Sequence, residues 1–494
     1  MVQPFFMIVC LILSIEKSTM KYFISFLLLT VSVSAMALGT VKIQGKVLNR
    51  SSDTICFNYN TNRIAFYPKP IISKLDKNGA FSISFPVMEL HTQGELIYNG
   101  KRMDMVVTEG NDLTLNFDAN DIENTMEIKG NGVEVANFVI KHFFKMGSMN
   151  LFGGKMQQYA SKEPVEFVTS MNEEKQKELD YLEQNKNELS KDFIRYWKSF
   201  YEYFTYFDIL QYPSLHEMIR QQSYNIQFIS KENYESAKKV PELFNDTLMD
   251  VVPYRLYVDN IYRIKLEAEN YTNIDTIPES KYRQDDSITR MVYQKMPDKT
   301  AEYFFASRLY NKVRNQPLKR TEANIEEFKK HWPQSMYASS LMKELALMSK
   351  ISPGEPAMDF TFTTIDGMKS RLSDLMGKVV VLSFWSAENE GSAKQIVFMK
   401  RLSGKFVGKD VAFLYVSIDN NEEAWKMMIE KNKLSTGIHT RSPGSWGSIV
   451  AQDYGVVSIP AYFLIDKAGR FAIQNVPAPY MGDKLENEIK KLLK

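Results

Sequence analysis

The sequence has 494 residues, too many for one ordinary hydrophobic core, and its length suggests about two to four domains. Hydrophobic residues make up 44% and charged residues 24%, a globular balance that excludes a chain disordered throughout. The formal net charge of +2 excludes the strongly basic footprint of a nucleic-acid binder.

Residues 1–37 read as a targeting segment. Met20-Lys21 gives a charged start, Tyr22–Val33 an apolar run, and Ala35-Met36-Ala37 the small-x-small pattern of a secretory signal-peptide cleavage site. The bland alternative is a single membrane anchor, but the run is short for a span. The earlier apolar stretch Phe5–Ile15 is cut off from it by Glu16-Lys17. Met20 is itself a candidate start. Cys10 has no small residue before it, so no lipoprotein cleavage site is read there. Export would place the protein in the cell envelope, in the periplasm, with no stable membrane span after processing. Cys56 would then be the only cysteine left, and a single thiol forms no internal disulfide. It lies between Ile55 and Phe57, the setting of a buried strand, where a thiol is inert.

Residues 38–130 read as an antiparallel β-sandwich. Val41 to Val47 alternates with a period of two. Asn78-Gly79 separates Ile71–Lys77 from Ala80–Phe85, and Asn99-Gly100 separates Glu95–Tyr98 from Met103–Val107. Asn-Gly between such runs predicts a hairpin, because the type I′ turn needs positive φ at both positions. Leu113–Phe117 and Met126–Ile128 supply further strands.

Residues 131–352 read as an α-helical domain. Phe193, Trp197, Phe200, Phe204 and Phe207 recur at steps of four and three and share one face of a helix over Asp192–Leu210. Pro213 is expected to stop that helix. Met171–Asn185, Tyr254–Ala268, Thr300–Val313 and Ser335–Met348 are the other helices expected. The aromatic stripe reads as helix–helix core and not as a cofactor box.

Residues 353–494 alternate strand and helix. Ile351-Ser352-Pro353-Gly354 reads as a linker. Val379–Phe384 and Val411–Ile418 are continuous apolar runs, as in strands buried on both faces. Helices are expected over Ser392–Phe406, Asn421–Lys431 and Leu485–Leu493, and strands over Tyr462–Ile465 and Arg470–Gln474, split by the turn Lys467-Ala468-Gly469.

Three stretches here carry a resemblance: Val379–Gln395, a strand running through Phe384-Trp385 into a loop and helix; Ser458–Asp466, with its Ile459-Pro460; and Gly354–Gly377. Together they resemble the α/β thioredoxin-fold domain of TlpA/ResA-type thiol:disulfide oxidoreductases, of the AhpC/TSA redoxin superfamily. The resemblance implies a Cys-x-x-Cys loop after the Trp, an acid three residues beyond it, and a cis proline against the pair. The thiolate of such a loop is favoured by the helix N-terminus. In this chain the four loop positions are Asn389, Glu390, Gly391 and Ser392. Gln395 stands where the acid would be and Val397 where the helix usually carries Pro; Pro460 survives. Nucleophile, resolving thiol and proton acceptor are all replaced. Ser392 as a nucleophile would need a base, and nothing in the spacing brings His439 to it. The simpler reading is an ordinary helix start, with Asn389 as N-cap and Ser392 at N3.

No H-x-x-x-H or Cys/His cluster predicts a metal, no Gly-rich phosphate loop is present, and no cofactor is expected. The reading is therefore an exported thioredoxin-fold protein without redox cysteines, leaning away from an enzyme. It would act as a binding or scaffolding module for an envelope protein or peptide, with the groove at Trp385, Ile459 and Pro460 as contact surface. The alternatives are a thiol:disulfide oxidoreductase or peroxiredoxin-like enzyme and an envelope structural protein.

Overall fold

The computed structural model describes residues 39–494 apart from 61, 65–67, 150–157, 222–237, 271–291, 316–317, 445–446 and 482. The expected signal peptide lies outside the described residues. Among the described residues no helix is long and apolar enough to cross a membrane.

The N-terminal strands are β1 (Gly39–Leu48), β2 (Thr54–Asn60), β3 (Pro68–Lys74), β4 (Ala80–Val87), β5 (Thr92–Tyr98), β6 (Lys101–Val107), β7 (Asp112–Asp118) and β8 (Glu127–Asn131), with a short helix α1 (Ile122–Thr125) before β8. They form two four-stranded sheets, ordered β4-β1-β7-β8 and β3-β2-β5-β6. Their alternating faces meet: Phe57 stacks on Phe85 with ring centroids 4.8 Å apart, and Tyr98 meets Phe117 edge-on.

The first sheet is mixed and not antiparallel throughout, because β1 pairs with β7 in parallel from Lys42↔Asp112 to Leu48↔Asp118. The two Asn-Gly turns also differ. Asn99 and Gly100 both have positive φ, 44° and 80°, and close the β5–β6 hairpin. At Asn78-Gly79 only Gly79 does, and β3 and β4 belong to different sheets. The reason is Asp76, whose Oδ1 accepts from the Asn78 and Ala80 N–H groups at 2.8 Å and sets a wider turn.

The helices that follow are α2 (Val133–Met146), α3 (Pro164–Asn185), α4 (Lys191–Gln221), α5 (Val252–Asn270), α6 (Asp298–Asn315), α7 (Leu318–His331) and α8 (Ala338–Lys350). Of the predicted stripe on α4, Phe193, Trp197, Phe200 and Phe207 are buried. The expected stop at Pro213 is overridden, and α4 runs through it. Contacts on both sides of the proline hold the chain there. Tyr212 stacks on Phe167 at 4.2 Å and donates to the Lys162 carbonyl, and His216 Nδ1 lies 2.8 Å from the Ala160 carbonyl oxygen.

The C-terminal part begins with β9 (Thr361–Thr363) and β10 (Lys369–Arg371), a two-stranded antiparallel pair. Then come β11 (Val379–Trp385), α9 (Glu390–Gly404), β12 (Val411–Ser417), α10 (Glu422–Lys431), β13 (Ile438–Arg441), α11 (Ile449–Asp453), β14 (Ala461–Ile465) and α12 (Lys484–Leu493). The central sheet has the order β13-β12-β11-β14. All seven residues of β11 are buried because it is an inner strand, parallel to β12 and antiparallel to β14. Its side chains alternate between two cores. Val380, Leu382 and Phe384 join Tyr454 and Phe471 on one face, while Val379, Val381 and Trp385 join Ile396, Met399 and Ile489 on the other. The strand expected over Arg470–Gln474 is reduced to isolated bridges at Arg470 and Phe471. Asp466 Oδ1 accepts from the Ala468 and Arg470 N–H groups and turns the chain sharply there.

By contact density the chain forms two compact units. The first comprises the described residues within Met1–Phe57, Ile71–Met149 and Asn187–Phe193; the second those within Asn58–Pro70, Asn150–Lys186 and Ile194–Lys494. The second unit thus holds both the later helices and the C-terminal sheet.

Candidate functional site

The site is built where β11 ends and α9 begins. Trp385 closes the strand and is buried, and its indole Nε1 finds no hydrogen-bond partner. Four residues on, Asn389 caps α9, its side-chain oxygen accepting from the Ser392 N–H at 2.8 Å. Asn389 thus satisfies one of the free N–H groups of the first turn. Glu390 is the first helical residue. Gly391 follows, and a Cβ on it would meet Asn389 Oδ1 at 3.2 Å. Ser392 is buried, with no partner for its Oγ, and Gln395, one turn on, is half-buried with its Oε1 unpaired. Val397 is exposed. Across the end of the sheet, Ile459 and Pro460 are half-buried and joined by a cis peptide bond, just before β14.

Sequence reasoning missed the group that shapes the loop. Asp419, buried two residues past β12, reaches back to the end of β11. Its carboxylate accepts from the Ser386 hydroxyl, from the Ala387 N–H at 2.8 Å and from the Ser417 hydroxyl at 2.6 Å. The Ser386 Oγ in turn accepts from the Glu388 N–H. Charge-assisted bonds of this kind are about twice as strong as neutral ones. Arg441 holds the following turn, donating to the Asp419 and Asn420 carbonyls and pairing with Glu422 at 2.7 Å. The available signal was a polar Ser417-x-Asp419 closing an apolar run.

The other candidate groups are engaged or placed elsewhere. The His439 ring stacks on Tyr415 at 4.7 Å, its partner across β12 and β13. Burial pulls its pKa down to about 4, so it is neutral at physiological pH. Cys56 is half-buried on β2 in the first unit, and burial pushes its thiol up to about 11, far from a reactive thiolate. Among the described residues no group of His, Cys, Asp and Glu could hold a metal ion. The loop has a capped helix start, a carboxylate anchor and an adjoining proline edge, and residues 353–494 contain no cysteine.

Residues 353–472 match the AhpC/TSA family. Thiol-disulfide oxidoreductase ResA of Bacillus thuringiensis subsp. konkukian (strain 97-27) is 28% identical over 158 residues, which are 32% of this chain and 86% of the relative. Thioredoxin-like protein YneN of Bacillus subtilis (strain 168) is 26% identical over 161 residues, covering 32% and 86%. Among solved structures, the thioredoxin domain of a thiol-disulfide oxidoreductase from Bacteroides vulgatus is 26% identical. The match covers 29% of this chain and 99% of that one with a TM-score of 0.26. The C-terminal part of the chain is a TlpA/ResA-like thioredoxin-fold domain.

Proposed function

We propose that this domain binds a partner and does not exchange disulfides. One observation carries the reading. The residues that the resemblance puts at the two thiol positions, Asn389 and Ser392, are joined in a helix cap. Thiol:disulfide exchange needs a thiolate to attack and a second thiol to resolve the mixed disulfide. Residues 353–494 contain no cysteine at all. The relatives' names, which speak of thiol-disulfide oxidoreductases, favour the enzymatic alternative, but its chemistry would need a thiol from outside the domain.

The half-exposed edge at Ile459 and Pro460 would be the contact surface, and an envelope protein or peptide the partner; Trp385, expected to share in it, is buried and would only support it. Export to the periplasm is supported by the charged start, apolar run and Ala-x-Ala pattern at residues 20–37. The N-terminal strands, proposed as a β-sandwich domain, and the helices would be scaffolding.

Insulin reduction and peptide capture test the reading together. The mature protein should reduce insulin no faster than its Cys56→Ala variant. It should retain cysteine-free peptides from an immobilised library, and Ile459→Asp should abolish that retention while Cys56→Ala leaves it intact. Turnover above the Cys56→Ala control would favour the enzyme instead.

A further inference from the structure

Within the second unit, the helices meet the thioredoxin-like part at a desolvated polar junction. Arg314, in the last turn of α6, directs its guanidinium at the backbone of Gly455. Nη1 and Nη2 each donate to the Gly455 carbonyl at 3.2 Å, and Nε donates to the Tyr310 hydroxyl at 3.0 Å. Nη2 also lies 2.7 Å from Glu344 Oε1 on α8. The two charged side chains are only 16% and 4% exposed, so the contact is poorly screened by water.

Gly455 itself is shaped for this approach. Its φ is +61°, and a Cβ there would come within 3.0 Å of Leu347 Cδ2 and 3.4 Å of Met348 Cε, both on α8. On one side of Gly455 in sequence is Tyr454, whose ring packs on Phe384 and Phe463 and whose hydroxyl donates to the Met358 carbonyl at 2.7 Å. On the other side runs the segment that ends in Ile459 and Pro460. The carbonyl gripped by Arg314 therefore joins the core of the sheet to the proline edge of the groove.

We propose that Arg314 is a positioning residue for that edge. It fixes the Gly455 carbonyl and with it residues 456–460, so that the seating of α6 and α8 and the shape of the groove form one coupled equilibrium. A ligand that prefers one shape of the groove would then tighten the helices, and loosening the helices would weaken the ligand by the same factor. The functional meaning rests on the groove reading; the clamp does not. The geometry calls for arginine, since a planar guanidinium can place two N–H groups on one carbonyl while reaching a carboxylate, and an ammonium cannot.

Amide hydrogen exchange on the full chain tests the clamp without any ligand. Arg314→Lys keeps a charge beside Glu344 but loses the fork. Arg314→Met with Glu344→Gln removes both charges, so none is left buried and unpaired. Both variants should exchange amides 455–459 about tenfold faster or more, the factor set by losing a charge-assisted hydrogen bond. Amides of β11 and β12 should exchange as in the parent. Unchanged exchange at 455–459 in either variant would overturn the proposal. So would a uniform rise across the second unit in both, which would make Arg314 a general stabiliser and not a positioning residue. Since no peptide is involved, failure here leaves the groove reading standing, and failure of peptide capture leaves the clamp standing.

Discussion

Asn389 and Ser392 are bonded to each other at the start of α9, the Asn389 side chain accepting from the Ser392 N–H at 2.8 Å. The bond is that of an ordinary helix cap, and its energetics can be tested as such. Asn389→Ala should lower stability by about 1 kcal/mol, Asn389→Gly by a few tenths, and Asn389→Asp should be neutral or slightly stabilising, because a carboxylate also suits the positive end of α9. Urea denaturation of the three variants gives the order. An Asn389→Ala variant as stable as the parent would remove the cap from the account of this loop.

Asp419 should matter more. Its carboxylate accepts from two hydroxyls and a backbone N–H in a buried place. Asp419→Ala leaves these donors without acceptors, each costing on the order of 1–3 kcal/mol, and should destabilise the protein by about 3 kcal/mol or more. Asp419→Asn keeps the shape and some of the acceptor capacity and should cost about half as much. Denaturant midpoints at constant m-value measure both. Equal, small losses would mean that the loop after Trp385 holds itself.

The contrast between these residues shows what the sequence could reveal. The cap is local: Asn389 and Ser392 are three residues apart, and an Asn before a helical pattern is a known start signal. The Asp419 anchor joins residues over thirty positions apart, and no periodicity encodes that. The same division runs through the fold. Asn99-Gly100 behaved as the dipeptide predicts, whereas at Asn78-Gly79 a side chain outside the dipeptide, Asp76, chose a different turn. Pro213 reads as a stop, and locally it is one; Tyr212 and His216 carry the helix past it through bonds to residues some fifty positions earlier. The buried run of β11 was legible because it is central and needs apolar side chains on both faces. β13 was not, because its four residues, Ile438–Arg441, are too few to show a period.

His439 makes stability depend on pH. Burial lowers its folded-state pKa from the ordinary value near 6.5 to about 4. Between those values the unfolded chain binds the proton and the folded one does not, so stability falls as the pH drops from about 6.5 to 4. The full effect is roughly 3–4 kcal/mol, taking about 1.4 kcal/mol per pH unit over that interval. His439→Phe keeps a ring to stack on Tyr415 and removes the titration. Its stability relative to the parent should therefore rise progressively below pH 6.5 and level off near pH 4. Parallel curves for the two proteins would show that His439 titrates alike in both states.

The loop geometry itself can be put to chemical use. If residues 389–392 keep the shape of a redox loop, the double change Asn389→Cys, Ser392→Cys places two thiols one helical turn apart at the start of α9, where Asn389 is the cap and Ser392 faces inward and buried. The helix N-terminus should favour the thiolate of the first. Losing the Asn389 cap costs about 1 kcal/mol, which the protein should tolerate. Proton transfer should remain slow, because Gln395 presents an amide where a titratable carboxyl would be needed. The variant should therefore close a disulfide under mild oxidation and reduce insulin sluggishly, and adding Gln395→Glu should raise the rate. Thiol titration after oxidation reads the first step and insulin turbidity the second. Two thiols that stay free under oxidising conditions would mean that the loop has left redox geometry altogether, and that its likeness to the TlpA/ResA type ends at Trp385.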